Sequence, residues 1–182
     1  MLTLIIGGAR SGKTRYGQSL CSPSPRVAYV ATARPEDEEM LARIQRHRRD
    51  RPADWKTIEE PLSLAAAIRR ASLEADAILV DCLTVWLSNL CWELKDRAQD
   101  EIEKAACIEI DQIAAASRER EVVLLSNEVG SGVVPDNPVG RSFRDLQGLV
   151  NQRAAAAADQ VFLTVAGLPL RIKSCRQEGP RQ

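Results

Sequence analysis

The stretch Leu2-Thr3-Leu4-Ile5-Ile6-Gly7-Gly8-Ala9-Arg10-Ser11-Gly12-Lys13-Thr14 decides the fold. The short apolar run Leu2 to Ile6 reads as a buried strand, and the residues from Lys13 to Leu20 read as the start of a helix. Between them lies G-x-x-x-x-G-K-S/T, the phosphate-binding loop pattern, with Gly7, Gly12, Lys13 and Thr14 at its defining positions. Strand, glycine loop and helix is the context that this pattern requires. Loop and helix N-terminal N–H groups would face phosphate oxygens, where the helix dipole also favours negative charge. Lys13 would neutralise the terminal phosphates, and the Thr14 hydroxyl would hold Mg²⁺. The bland alternative is a chance match in an ordinary strand–turn–helix, which the agreement of motif and context disfavours.

Outward from the loop, composition sets limits. The 182 residues suit one domain, and a hydrophobic content of 45% supplies a sizeable core. Lys+Arg and Asp+Glu number 25 each, so charge gives no argument for nucleic acid or an anionic membrane. No apolar run reaches the length of about 18 residues that a spanning helix needs. With a strand from residue 2, no signal peptide is expected, and the reading is cytoplasmic. Cys21, Cys82, Cys91, Cys107 and Cys175 are odd in number and widely spaced. They read as reduced, mostly core thiols.

Apolar strands alternate with helices along the rest of the chain. Strands are expected at Arg26 to Ala31, Ala77 to Asp81, Val122 to Leu125 and Val161 to Val165, with shorter ones at Trp55 to Glu59 and Leu170 to Lys173. Helices are expected at Glu36 to Asp50, Pro61 to Leu73, Leu83 to Leu94, Gln99 to Glu119 and Arg141 to Ala158. The fold class is therefore α/β, a mainly parallel sheet with helices on both faces. One domain over 1–173 and a polar tail over 174–182 complete the expectation.

Several residues could carry chemistry. Asp81 closes a hydrophobic strand, where a P-loop protein places its Mg²⁺-binding acid; the alternative is a turn aspartate. His47 is the sole histidine, among Arg43, Arg46, Arg48, Arg49 and Arg51. Guanidinium groups bind phosphate oxygens bidentately, and a neutral imidazole beside them could attack phosphorus. Yet Met40, Ile44 and His47 share one helical stripe, so on local grounds a packing histidine is the preferred reading. Glu59 reads locally as a solvated acid. Asn127-Glu128-Val129-Gly130 follows a strand's carboxyl end, a sensible place for substrate contacts. Arg141, Arg144 and Asp145 read as a phosphate site or, more safely, a surface ion cluster.

Taken together, Gly7-Gly8-Ala9-Arg10-Ser11-Gly12-Lys13-Thr14, Tyr29-Val30-Ala31-Thr32, Arg43-Ile44-Gln45-Arg46-His47-Arg48 through Arg51-Pro52, Asn127-Glu128-Val129-Gly130 and Phe143-Arg144-Asp145 with Asn151-Gln152 resemble the bifunctional adenosylcobinamide kinase / adenosylcobinamide-phosphate guanylyltransferase family of cobalamin biosynthesis. The resemblance runs from residue 1 to about 173. It implies a P-loop NTPase fold of RecA-like type and a homotrimer. It implies a corrinoid substrate, no nucleic acid and no membrane insertion. It also implies two reactions: phosphorylation of adenosylcobinamide by ATP or GTP, then GMP transfer from GTP through a guanylylated histidine. That histidine maps onto His47, which reverses the local reading. Gly7, Gly8, Ala9, Arg10, Ser11, Gly12, Lys13, Thr14, Thr32, Ala33, Arg34, Arg48, Arg49, Asp50, Arg51, Glu59 and Asp81 would line the nucleotide site, with Thr14 and Asp81 on Mg²⁺ and with His47 and Lys13 catalytic. For the kinase step no base is evident; Asp81 and Glu128 are guesses. Pro169 and the tail after Lys173 depart from the pattern without touching this site. Two other readings compete: a plain small-molecule kinase, with the arginine-histidine helix as structure, and a nucleotide switch, against which the absence of N-K-x-D counts.

Overall fold

The computed structural model describes residues 1–35, 38–49 and 51–174, the side chains of Glu39 and Arg43 excepted. In chain order the elements are β1 Leu2–Gly7, α1 Lys13–Cys21, β2 Val27–Ala31, α2 Glu38–Arg49, β3 Lys56–Glu59, α3 Leu64–Ala71, β4 Ala77–Asp81, α4 Leu83–Glu93, α5 Gln99–Ala116, β5 Glu121–Asn127, α6 Pro138–Ala157, β6 Gln160–Val165 and β7 Leu168–Lys173. Among the described residues the strands form one sheet in the order β3-β2-β4-β5-β1-β6-β7. All neighbours run parallel except β6 and β7, which form an antiparallel hairpin.

Period-two alternation divides the core between the two faces. On one face Leu2, Leu4, Val30, Ile78, Val80, Val122 and Leu124 pack under α3, α4, α5 and α6, centred on fully buried Trp86. On the other, Ile5, Tyr29, Leu79, Val123, Leu125 and Phe162 pack with Cys21, Tyr16 and Leu20 of α1. Both faces are thus covered, and the central strands read as near-continuous apolar runs for that reason.

Several boundaries differ from the sequence reading, and three of them have a visible cause. The helix expected from Pro61 begins at Leu64. Before it, Oε1 of Glu60 accepts from Leu62 N and Ser63 N at 3.2 and 3.0 Å, forming a turn. The Pro61 and Leu62 carbonyls accept from Asn89 Nδ2 and Trp86 Nε1 instead of starting the helix. α6 begins at Pro138 rather than Arg141, because Asn137 caps it through Gly140 N at 2.7 Å and proline suits the first turn. β5 continues to Asn127, so this residue is the end of a strand, not loop. Pro169 sits on β7, the outermost strand, where a missing N–H donor is tolerated. Cys21, Cys82, Cys91 and Cys107 are free thiols, the first two buried; Cys175 and the tail from residue 175 lie outside the described residues.

Candidate functional site

Parallel strands bring the ends of β1, β4 and β5 together at one rim of the sheet. β5 lies between β1 and β4, pairing Asn127 with Gly7 and Leu125 with Asp81. The phosphate loop and Asp81 are therefore one strand apart.

The loop is shaped by its own backbone. Arg10 has φ 56° and Gly12 φ 94°. Positive φ turns successive N–H groups to one side and forms an anion-binding concavity. Ser11 N donates to the Gly8 carbonyl at 3.2 Å, and Lys13 Nζ donates to the same oxygen at 3.2 Å. Glu128 N ties the next segment to the Gly7 carbonyl at 3.1 Å.

A brace for the loop was missed in the sequence. The β6–β7 turn, Ala166 at φ 51° and Gly167 at φ 83°, is a two-residue hairpin with both central residues left-handed. Gly167 N donates to the Ser11 carbonyl at 2.9 Å, and the hydroxyls of Ser11 and Thr164 are 2.9 Å apart in the interior. A Cβ at Gly12 would lie 2.9 Å from Gly167 Cα, and one at Gly7 would collide with the Thr164 side chain. The available signal was a small-residue pair between two β-rich runs.

A second cluster forms over Asp81. The Tyr29 hydroxyl donates to Asp81 Oδ2 at 2.7 Å, and His47 Nδ1 lies 3.7 Å from the same oxygen. The Arg51 guanidinium stacks on the Tyr29 ring, 4.2 Å from its centroid. Burial raises the Tyr29 hydroxyl far above its ordinary pKa, and the charge of Asp81 and their hydrogen bond push the same way. Burial lowers the Arg51 guanidinium. Its Nη1 is buried and carries no hydrogen bond among the described residues. Cys82 is pushed up to about 11 by burial and then by Asp81, while the charge of Lys13 acts in the opposite direction. Lys13 is thus within electrostatic reach of the end of β4. These residues line a small pocket of about 70 Å³ with Ala31, Ala33, Met40, Ile44 and Val85. The Met40–Ile44–His47 stripe therefore does pack inward, yet the His47 side chain keeps 37% of its exposure and is not sealed.

The remaining candidates differ in exposure and in partners. Arg48 pairs with Glu59, and Arg34 lies 3.9 Å from Glu93. Gly8, Ala9, Arg10 and Arg49 are exposed, Thr14 and Ala33 half-buried. Thr32 is wholly buried, its hydroxyl exchanging hydrogen bonds with the Asp81 carbonyl and the Cys82 carbonyl and N–H, its own carbonyl accepting from Asn89. It shapes the wall beside Asp81 from within. Asp50 lies outside the described residues. Glu128 accepts from Gly130 N and Ser131 N through Oε1, which ties its side chain to the loop after β5. Arg141 and Arg144 donate to the carbonyls of Pro135, Asp136 and Gly130, so they staple the β5–α6 loop instead of forming the surface ion cluster.

Mg²⁺ can be tested against these groups. Among the described residues no three or more His, Cys, Asp or Glu side chains converge as a metal cage. Thr14 lies in the first turn of α1, and the Tyr29 hydroxyl and His47 Nδ1 both face Asp81 at Oδ2. A sparse pair of oxygens suits an ion that usually keeps waters and borrows phosphate oxygens.

Known proteins resemble this chain along nearly its whole length. The family described as cobinamide kinase / cobinamide phosphate guanyltransferase matches residues 3–172. The chain belongs to that family. A Salmonella typhimurium relative, the bifunctional adenosylcobalamin biosynthesis protein CobU, is 44% identical over 181 residues, covering 95% of this chain and 100% of its own. The Escherichia coli protein of the same name is 40% identical over the same shares. The Pseudomonas aeruginosa bifunctional adenosylcobalamin biosynthesis protein CobP is 42% identical over 174 residues, 95% of this chain and 98% of its own. A solved Pyrococcus horikoshii OT3 chain superposes with TM-score 0.56 at 9% identity, over 97% of this chain and 88% of that one, a likeness of fold. No described helix is long and apolar enough to cross a membrane.

Proposed function

We propose that this chain carries out both reactions of its family at one nucleotide site within residues 1–173, with Lys13 gripping the polyphosphate and His47 taking the GMP group. One observation supports this most: the sole histidine stands 3.7 Å from Asp81 at the same sheet rim as a complete phosphate loop. In the first reaction ATP or GTP gives its γ-phosphoryl group to the aminopropanol hydroxyl of adenosylcobinamide. A loose transition state asks mainly for positioning and charge stabilisation, which loop N–H groups and Lys13 supply. In the second, His47 attacks the α-phosphorus of GTP, pyrophosphate leaves, and the phosphorylated corrinoid takes GMP from the histidine, giving adenosylcobinamide-GDP. Arg48 and Arg51, flanking His47, offset charge on the equatorial phosphate oxygens. Thr14 and Asp81 would hold Mg²⁺, which when bound neutralises polyphosphate charge. We also place the enzyme in the cytoplasm, as a homotrimer, in keeping with the resemblance.

Incubation with GTP labelled at the α-phosphate tests the reading. Acid-labile label on the wild type and none on His47→Ala is the expected result. Label retained by that variant removes His47 as nucleophile. Phosphorylation of cobinamide without pyrophosphate release from GTP leaves a plain kinase.

A further inference from the structure

The family reading gives His47 a role, but it does not say which ring nitrogen reacts or what aims it. Tyr29 on β2 bears on both questions. Register pairs Tyr29 with Leu79 and Ala31 with Asp81, and Tyr29 and Ala31 share a sheet face because side chains alternate. Tyr29 therefore reaches diagonally along that face to the acid on the neighbouring strand. Its exposure is 3%, so its hydroxyl must find a partner in the interior, and the partner is Asp81 Oδ2 at 2.7 Å. Arg51 covers its ring. Tip and face are both committed, which fixes the carboxylate in direction as well as place. The oxygen so held is the one that faces Nδ1 of His47.

We propose that Tyr29 is a positioning residue for guanylyl transfer, clamping Asp81 against Nδ1 of His47 so that Nε2 is the nitrogen that takes the nucleotidyl group. An ionised carboxylate only accepts hydrogen bonds, so the nitrogen facing it carries the proton, and the other ring nitrogen keeps the lone pair. The Nε2 lone pair forms the N–P bond while the bond from the α-phosphorus to the bridging oxygen breaks, its electron pair leaving on pyrophosphate. Nδ1–H stays in place, and the positive ring faces Asp81. When the acceptor's phosphate oxygen attacks, the N–P bond breaks, its electrons return to Nε2, and the ring is neutral again.

The proposal rests on His47 as the nucleophile, and the experiment separates the two. The wild-type adduct, formed with GTP and denatured in alkali, is assigned to Nδ1 or Nε2 by phosphorus–proton correlation NMR; this determination needs no variant. Nε2 is the expected result, and an Nδ1 adduct overturns the proposal. Absence of any adduct defeats the earlier reading instead. Tyr29→Phe, which keeps the ring under Arg51 and removes the hydroxyl, is expected to slow single-turnover adduct formation at saturating GTP by about tenfold, as loss of an orienting partner typically does. Its KM for GTP and thermal midpoint stay near those of the wild type. A single-turnover rate equal to wild type, or a loss confined to KM or to the thermal midpoint, also overturns the positioning role.

Discussion

The phosphate loop and the carboxyl end of α2, which we propose serve one nucleotide, are built in opposite ways. The loop is fixed by main-chain bonds to Gly8, Gly167 and Glu128 and is wedged against the Thr164 hydroxyl. The helix after it, α1, buries Gly17 and Cys21 in the sheet. α2 contributes no fully buried side chain among those described: Met40, Ile44 and His47 are half-buried, while Leu41, Gln45, Arg46, Arg48 and Arg49 are exposed. It is held at its end by side chains, through Asp81 and Glu59. A group that must only grip can be cast into the scaffold. A group that must take a load and hand it on sits on an element with little burial, the low-stability end of the molecule.

The sharpest way to break this contrast is His47→Asn. Guanylyl transfer is lost completely while cobinamide phosphorylation persists, read as pyrophosphate release against phosphorylated product; parallel loss of both would join the two regions into one unit. Lys13→Ala is expected to lower both reactions by about two to three powers of ten, the usual cost of removing one electrostatic anchor. An effect on one reaction alone would show that the loop serves only that one. Thr164→Val removes the hydroxyl behind Ser11 while keeping its shape, and breaks the brace without touching nucleotide. Nucleotide affinity is expected to fall by about five- to tenfold, equivalent to one net hydrogen bond, measured by calorimetric titration for both reactions' nucleotides. The smallest effect is on stability. A Cβ at Gly17 would come within 2.9 Å of Leu125 Cδ2 and 3.1 Å of Leu79 Cδ1. Gly17→Ala therefore costs about 1–3 kcal/mol by overpacking, read as a shift in denaturant midpoint, whereas substitution of exposed Gln45 by Ala on α2 leaves that midpoint unchanged.

The same contrast explains what could be read without coordinates. The loop is legible because its chemistry is local: glycines, lysine and threonine at fixed spacing between a strand and a helix state both geometry and ligand. Apolar runs gave the parallel sheet, since central strands buried on both faces are continuous in the sequence. The Asp81 cluster was only half legible. The stripe Met40, Ile44, His47 showed that the histidine packs inward, but a stripe cannot say that its neighbour is a carboxylate contributed by a strand some thirty residues away. Tyr29 entered only within the stretch Tyr29-Val30-Ala31-Thr32 and drew no role of its own, because a tyrosine in an apolar strand looks like core until the register places Asp81 beside its hydroxyl. Thr164 and Gly167 were missed for the same reason: their importance lies in meeting Ser11 across more than 150 residues. The boundaries at Pro61 and Arg141 slipped because a turn closed on Glu60 and a cap from Asn137, not propensity, set where those helices begin.

The hairpin that closes the sheet has a practical consequence. Its tip lies against the phosphate loop, while its outer strand, β7, shows Leu168, Leu170 and Ile172 to the surroundings. A fluorophore, graft or fusion partner attached along that margin is expected to disturb the phosphate loop through a single tight bend. Probes meant to be silent belong on α5 or at the opposite rim of the sheet; probes meant to sense nucleotide belong here.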